Sequence, residues 1–187
     1  MATVATPMTT EELLALPENG VDRWLIEGEL RERTMTVRNR IHSLIMTSIA
    51  YFLKGWLINQ PLPRGQILTG DAGVRLTRDP DTTFGIDIIY VSAEVLAQQT
   101  ELSTIINGIP TLAVEVLSPS DLMEDVNDKI DALLAAGVPM VWIIDPRRKT
   151  VTVHRPDADP AIFGIRQELN GDPHLPGFRV PVASLFE

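Results

Sequence analysis

The chain has 187 residues, 44% hydrophobic and 22% charged, a mixture that suits one folded domain and excludes a disordered or fibrous chain. It contains no cysteine, so disulfide scaffolds, thiolate zinc sites, iron–sulfur clusters and cysteine nucleophiles are all excluded. With 25 acidic against 16 basic side chains the net charge is −9, which excludes a generally basic coat for nucleic acid but not a local basic groove. The first residues lack a basic region followed by an apolar core, and no apolar run approaches the roughly 20 residues that cross a bilayer. A cytoplasmic protein with no membrane attachment is therefore expected.

In chain order, Thr9 or Thr10 followed by Glu11 and Glu12 predicts a capped short helix through Leu16, stopped by Pro17, Asn19 and Gly20. Trp24 to Arg33 reads as a strand pair turning at Glu27-Gly28. Val37 to Ile58 reads as a long helix, because Ile41, Leu44, Ile45, Ile49, Phe52 and Trp56 recur at three- and four-residue steps. Four further segments have strand character: Gln66 to Leu76, Ile86 to Val91, Thr111 to Leu117 and Met140 to Asp145. A fifth, Thr150 to His154, pairs with the fourth across Pro146 to Lys149. Between the third and fourth lies the clearest helix, opened by Ser118-Pro119-Ser120-Asp121 as a capping box and closed by Gly137. A strand, a helix and a returning strand imply a right-handed crossover, and the hairpins imply a mixed sheet, so the expected class is α/β with helices flanking that sheet. From Pro156 onward the chain is rich in proline and glycine and is expected to wrap the surface, anchored by Leu175-Pro176-Gly177-Phe178.

Three ionisable residues stand where apolar ones belong. Asp87 lies in Ile86-Asp87-Ile88-Ile89-Tyr90-Val91 and Glu115 in Ala113-Val114-Glu115-Val116-Leu117. A lone buried carboxylate costs several kcal/mol or shifts its pKa upward, so each needs a partner, and one shared divalent cation would satisfy both. At 100° per residue Leu122, Val126, Lys129 and Leu133 form one stripe, which turns Lys129 inward, while Asp125, Asp128 and Asp131 project to the flank or to solvent. The helix returns over the sheet from the strand carrying Glu115, so its inner face can bring an ammonium toward both acids. A structural triad is the bland alternative, but hydrophobic replacements of such groups are commonly as stable, which favours function.

An Asp in one strand, a Glu in the next and a Lys resemble the PD-(D/E)XK nuclease superfamily and its restriction-endonuclease-like core. Within it, the chain is similar to the Uma-type restriction endonuclease family of bacterial proteins. The residues carrying the likeness are Trp24-Leu25-Ile26-Glu27-Gly28-Glu29-Leu30, His42, Gly85-Ile86-Asp87-Ile88, Glu115-Val116-Leu117-Ser118-Pro119-Ser120, Asp125 and Lys129. Gly137-Val138-Pro139, Trp142-Ile143-Ile144-Asp145-Pro146 and Leu175-Pro176-Gly177-Phe178 extend it over nearly the whole chain. There are departures. Ile86 replaces the proline before the first acid, Leu117 the lysine two residues after the glutamate, Leu133 a tyrosine, and Trp24 a glutamate of the first strand.

The resemblance implies a single nuclease-like domain over 1–187, with N-terminal helix and strands in 1–60, a catalytic core in 66–154 and a C-terminal wrap in 155–187. It implies a metal-dependent endonuclease hydrolysing DNA, with Asp87, Glu115 and Lys129 catalytic. Asp87, Glu115 and the Val116 backbone carbonyl would bind Mg²⁺, for which Mn²⁺ could substitute, with Glu27, Glu29 and His42 as further candidates. DNA is the expected partner and a homodimer the expected assembly. The alternatives are a catalytically silent nuclease-like binding or dimerisation module, and a metal-dependent hydrolase of a small phosphorylated or nucleotide substrate. No glycine cluster forms a phosphate-binding loop, His154 and His174 receive no role, and Arg147, Arg148 and Lys149 are read as turn charges that could contact phosphate.

Overall fold

A computed structural model describes residues 6–34 and 39–187. Helix α1 (Thr10–Leu14) opens with the expected capping box, Thr9 accepting from the Glu12 N–H while Glu12 reaches back to Thr9. Strands β1 (Val21–Ile26) and β2 (Glu29–Thr34) form the predicted hairpin. Its two-residue loop places Glu27 and Gly28 at φ of 51° and 75°, the left-handed conformations that type I′ connections require. Helix α2 spans Arg40–Leu57 behind an Asn39 cap, and Val37, where the helix was expected to begin, lies outside the described residues. The inward face of α2 is His42, Ile45, Ile49, Leu53 and Leu57, so Ile41 is exposed and His42 stands at the centre of the buried stripe rather than on its edge.

Strands β3 (Gln66–Thr77) and β4 (Thr82–Val91) pair antiparallel, followed by a short helix α3 (Ala93–Leu96) and a two-residue strand β5 (Ile106–Asn107). Strand β6 (Leu112–Val116), helix α4 (Met123–Ala135) and strand β7 (Val141–Asp145) form the expected crossover, β6 and β7 being parallel. Strand β8 (Thr150–Arg155) continues antiparallel. The sheet is therefore mixed, running β2-β1-β4-β6-β7-β8 with a further strand beyond β8, with β3 beside β4 and β5 on the far side of β3.

Two expectations are corrected. The chain at Ser118 to Asp121 is a closed turn and not a helix start: the Asp121 N–H donates to Ser118 O at 3.1 Å and the Asp121 carboxylate accepts from the Ser118 N–H at 2.7 Å. The acidic half of the predicted box thus forms, but α4 begins later, behind Leu122, which supplies no side-chain cap and is exposed rather than part of the inner stripe. The C-terminal segment is not a surface wrap. It adds β9 (Ala158–Gly164) to the edge of the sheet, where Pro160 is tolerated, and a separate hairpin of β10 (Glu168–Asn170) and β11 (Arg179–Pro181). Leu169, Leu175, Phe178, Val180, Val182 and Leu185 are all buried under α2 with Trp142, and Phe178 lies 5.5 Å from the Trp142 ring. Fully burying six such side chains is worth on the order of 10 kcal/mol of gross transfer free energy.

Candidate active site

β3 lies along one whole edge of β4, so β1 and β6 must share the other. β1 pairs at Thr83, β6 pairs only with Ile88 to Tyr90, and between them the edge of β4 is uncovered. The ladder to β6 stops at Ile88 opposite Val114, leaving the Val116 N–H without a backbone partner on β4. Asp87 takes it, accepting at 2.8 Å. Across β4, the register shifts between Thr69 and Ala72, so Gly70 and Asp71 together face the single residue Asp87, a bulge that turns the Asp71 side chain into the same space.

The result is a cavity of about 60 Å³ in the gap. A water needs on the order of 10–15 Å³ by this measure, so the cavity holds a few waters or an ion but not a nucleoside. Asp87, Glu115 and Lys129 all line it, as the sequence predicted. Lys129 Nζ lies 2.6 Å from Glu115 Oε1, donates to Gly85 O at 2.7 Å and stands 5.4 Å from the centre of the Phe84 ring. His42 reaches Asp87 from the other side of the sheet, Nε2 to Oδ2 3.2 Å.

The two acids differ in electrostatics. Burial alone would raise the Asp87 carboxyl, but the His42 hydrogen bond, the Val116 N–H and the charge of Lys129 outweigh it and hold the group below the usual aspartate value. Asp87 is therefore anionic at neutral pH, and His42 Nε2–H is the donor. Glu115 goes the other way: burial, helped by the charge of Asp87, overcomes Lys129 and pushes the carboxyl up to about 7. Opposed shifts of neighbouring carboxyls in one cleft are a mark of functional sites.

The other candidates separate. Glu27 sits in the left-handed turn away from the cavity, and Glu29 is exposed and paired with Arg31 at 2.9 Å; neither reaches the cavity. The alternation of β1 explains this, since Asp22 and Trp24 line the cavity and the chain turns away two residues later. Val116 lines the cavity, with its N–H engaged by Asp87. Asp125, expected at the flank, lines it too.

Four charged lining residues were not among the sequence's site candidates: Asp22, Arg33, Asp71 and Asp121, the last read only as part of a helix cap. Arg33 stands opposite Asp22 in the hairpin register and bridges two carboxylates, donating to Asp121 at 2.8 Å and to Asp22 at 3.1 Å. The hairpin is thereby clasped to the turn before α4. A two-residue loop at Glu27-Gly28 fixes Asp22 opposite Arg33, so that pair was derivable; Gly70-Asp71 inside a strand pattern is likewise a bulge signal.

Of the lining side chains six are carboxylates and two are cations, a set of hard oxygen donors suited to Mg²⁺, which keeps several waters and needs few protein ligands. Among the described residues no three His, Cys, Asp or Glu side chains are arranged as a closed metal cage. The donor set fits an open, water-rich site built on Asp87 and Glu115, not a dedicated cage.

Fold and cavity together define an α/β protein whose acids and lysine meet at the point where two strands part from a third. The chain belongs to the Uma2 family, described as "Putative restriction endonuclease", whose model matches residues 10–183. Among solved structures it is similar to a putative nuclease belonging to DUF820 from Anabaena variabilis, with a TM-score of 0.77, 23% identity and coverage of 96% of this chain and 98% of that one. No curated protein matches the chain. No described helix is long and apolar enough to cross a membrane.

Proposed function

We propose that the protein is a Mg²⁺-dependent endonuclease that hydrolyses DNA phosphodiester bonds in the cavity between β1 and β6. The convergence of Asp87, Glu115 and Lys129 on one small polar cavity carries this reading, and membership of a restriction endonuclease family supports it. Asp87, Glu115 and the Val116 carbonyl would hold Mg²⁺ or Mn²⁺. When bound, the ion supplies Lewis acidity that makes a water more acidic and offsets charge on the phosphate. His42 and the Val116 N–H keep Asp87 anionic and fix its direction. Lys129, anchored by Gly85 O, holds a positive charge at the phosphate and stabilises the charge that develops there. Two such sites, one on each of two copies, would cut both strands of a duplex, so light scattering of the protein with and without DNA tests the homodimer.

One observation favours a silent binding module instead. His42 hydrogen-bonds Asp87 and Lys129 ion-pairs with Glu115, so each acid already has a counter-group within the protein. The experiment that separates the readings is a thermal shift on adding Mn²⁺ with a parallel DNA cleavage assay. The endonuclease raises its melting temperature with Mn²⁺, loses that shift in Asp87→Asn, and in Lys129→Ala keeps the shift while losing cleavage by at least 100-fold, about 2.7 kcal/mol of transition-state stabilisation. A shift with no cleavage of DNA but with cleavage of nucleotides selects the small-substrate hydrolase. No shift and no cleavage selects the silent module.

A further inference from the structure

The catalytic cavity has no room for a nucleoside, yet a phosphodiester brings one on each side. Directly beside it, sharing Leu117, Val126, Ile130 and Ile143 as a common wall, an open groove of about 760 Å³ runs between α4 and the outer strands β7, β8 and β9. That volume lies within the roughly 300–1,000 Å³ typical of small-molecule sites. The groove exists because α4 covers the sheet over β4, β6 and β7 but stops short of β8 and β9. On that uncovered face the register aligns Ile143, Thr152 and Ile162 across three strands.

The groove is two-natured. Ile143 and the exposed Met123 and Ile162 give apolar faces, Ile162 being 65% exposed, while Thr150, Thr152 and His154 offer hydrogen-bonding groups beside them. Its lip is basic. The β7–β8 turn presents Arg147, Arg148 and Lys149, and Asp145 holds that turn rigid by accepting from the N–H groups of Arg147 and Arg148 at 2.8 and 3.0 Å. The Arg148 side chain is 84% exposed, 3.8 Å from Asp145, and Arg147 has no ion pair among the described residues. In a chain of net charge −9, exposed arginines at the rim of an apolar groove suit an occupant with a planar apolar part and an anionic one.

We propose that this groove holds an unpaired nucleotide of the substrate strand next to the scissile phosphate, its base against Ile143, Met123 and Ile162 and its neighbouring phosphate on Arg147 and Arg148. Within a duplex the base faces are stacked and hidden, so only a nucleotide out of the stack can use such a floor. The inference rests on the nuclease reading and adds a preference for single-stranded or locally opened nucleic acid.

The test is fluorescence anisotropy of a labelled single-stranded oligonucleotide and of its duplex, with the full chain in Ca²⁺, and cleavage of both in Mg²⁺. The parent binds and cuts the single strand better. The Arg147→Ala/Arg148→Ala variant weakens single-strand binding by about tenfold and lowers the slope of log affinity against log salt by about 1.4, the value for two lost phosphate contacts. Ile162→Glu also weakens binding, whereas Arg166→Ala, an exposed arginine outside the groove, does not. All four positions are exposed, so unchanged melting temperatures establish that folding is intact. If the parent cuts DNA while the groove variants bind and cut like the parent, or if duplex is preferred, the groove assignment alone falls. If the parent neither binds nor cuts any nucleic acid, both this inference and the nuclease reading fall.

Discussion

The two faces of the central sheet are made by the same strands and solve opposite problems. On the α2 face, Val114 and Val116 of β6 and Trp142 and Ile144 of β7 meet Ile45, Ile49, Leu53 and the C-terminal segment in a continuous apolar core. On the α4 face, one residue away in each strand, Ala113, Val141 and Ile143 give way to Glu115, Lys129 and the open cavity. The first face is closed by packing. The second is left open because β1 and β6 divide one edge of β4 between them, and polar groups then replace the missing ladder, as Asp87 does for the Val116 N–H. A site of this kind is built from a gap in regular hydrogen bonding, so Asp87 is anchored by a freed backbone N–H and by His42 from the face behind it.

The largest effect is expected on the closed face. Phe178→Ala should cost about 3–5 kcal/mol in urea unfolding, as for a buried aromatic in a tight core, because Phe178 packs on Trp142 and Trp56 at the centre of the α2 face. A loss under 1 kcal/mol would mean that the C-terminal segment only covers a core already complete without it. Next is His42, which joins the faces, since it belongs to the buried stripe of α2 yet donates to Asp87. His42→Ala should cost about 2–3 kcal/mol, through lost packing and a buried carboxylate that loses a donor, and should also weaken the Mn²⁺ thermal shift. Unchanged metal response with lowered stability would restrict His42 to the core.

The sequence made one half of this contrast readable. Asp87, Glu115 and Lys129 stood out because each interrupts an apolar pattern, and a charge there must be accounted for. Asp22, Arg33, Asp71 and Asp121 carry no such mark: in hairpins, bulges and turns a charge looks the same whether it faces solvent or a cavity. The helix α2 was legible by its period, but its phase was misjudged because Ile41 was counted inside and His42 at the edge, and hydrophobicity cannot show that the histidine has a buried carboxylate to meet. The C-terminal strands are short, and β9 contains a proline, so their burial comes from long-range packing that local pattern does not encode. Ser118-Pro119-Ser120-Asp121 has the residues of a cap, but Arg33, far away in sequence, draws on Asp121 and the residues settle as a turn.

A smaller, pH-dependent effect distinguishes the open face. The Glu115 carboxyl is pushed from about 4.5 when unfolded to about 7 when folded, by burial first and by Asp87 second, against Lys129. Between these values the folded state holds more protons than the unfolded one, so this group lowers stability as pH rises through the window. Glu115→Gln removes that dependence. Measured as the difference in unfolding free energy from the parent, the variant should gain on the order of 2 kcal/mol between pH 4.5 and pH 7.5, less whatever Lys129 loses with its partner. A difference that stays flat with pH would show that Lys129 keeps Glu115 ionised throughout. On the closed face, Phe178→Ala should show a flat difference over the same range.

The smallest effect should come from the clasp at the cavity mouth. Arg33 lies between Asp22 and Asp121, with side chains 29%, 38% and 13% exposed, so its ion pairs are only partly screened. Partly exposed pairs are worth about 0–1 kcal/mol each, and Arg33→Ala should cost about 1 kcal/mol. The cost should be greater at low salt, because without the guanidinium Asp22 and Asp121 repel each other and the remaining carboxylates of the cavity, and about 0.1 M salt shortens the reach of that repulsion to about 10 Å. Arg33→Lys should restore little of the loss: one ammonium cannot present two parallel N–H groups to two carboxylates in different elements. If Arg33→Ala is equally costly at low and high salt, the side chain acts by packing its stem rather than by joining the hairpin to the turn before α4. If Arg33→Lys restores parental stability, charge alone suffices and the forked geometry is immaterial.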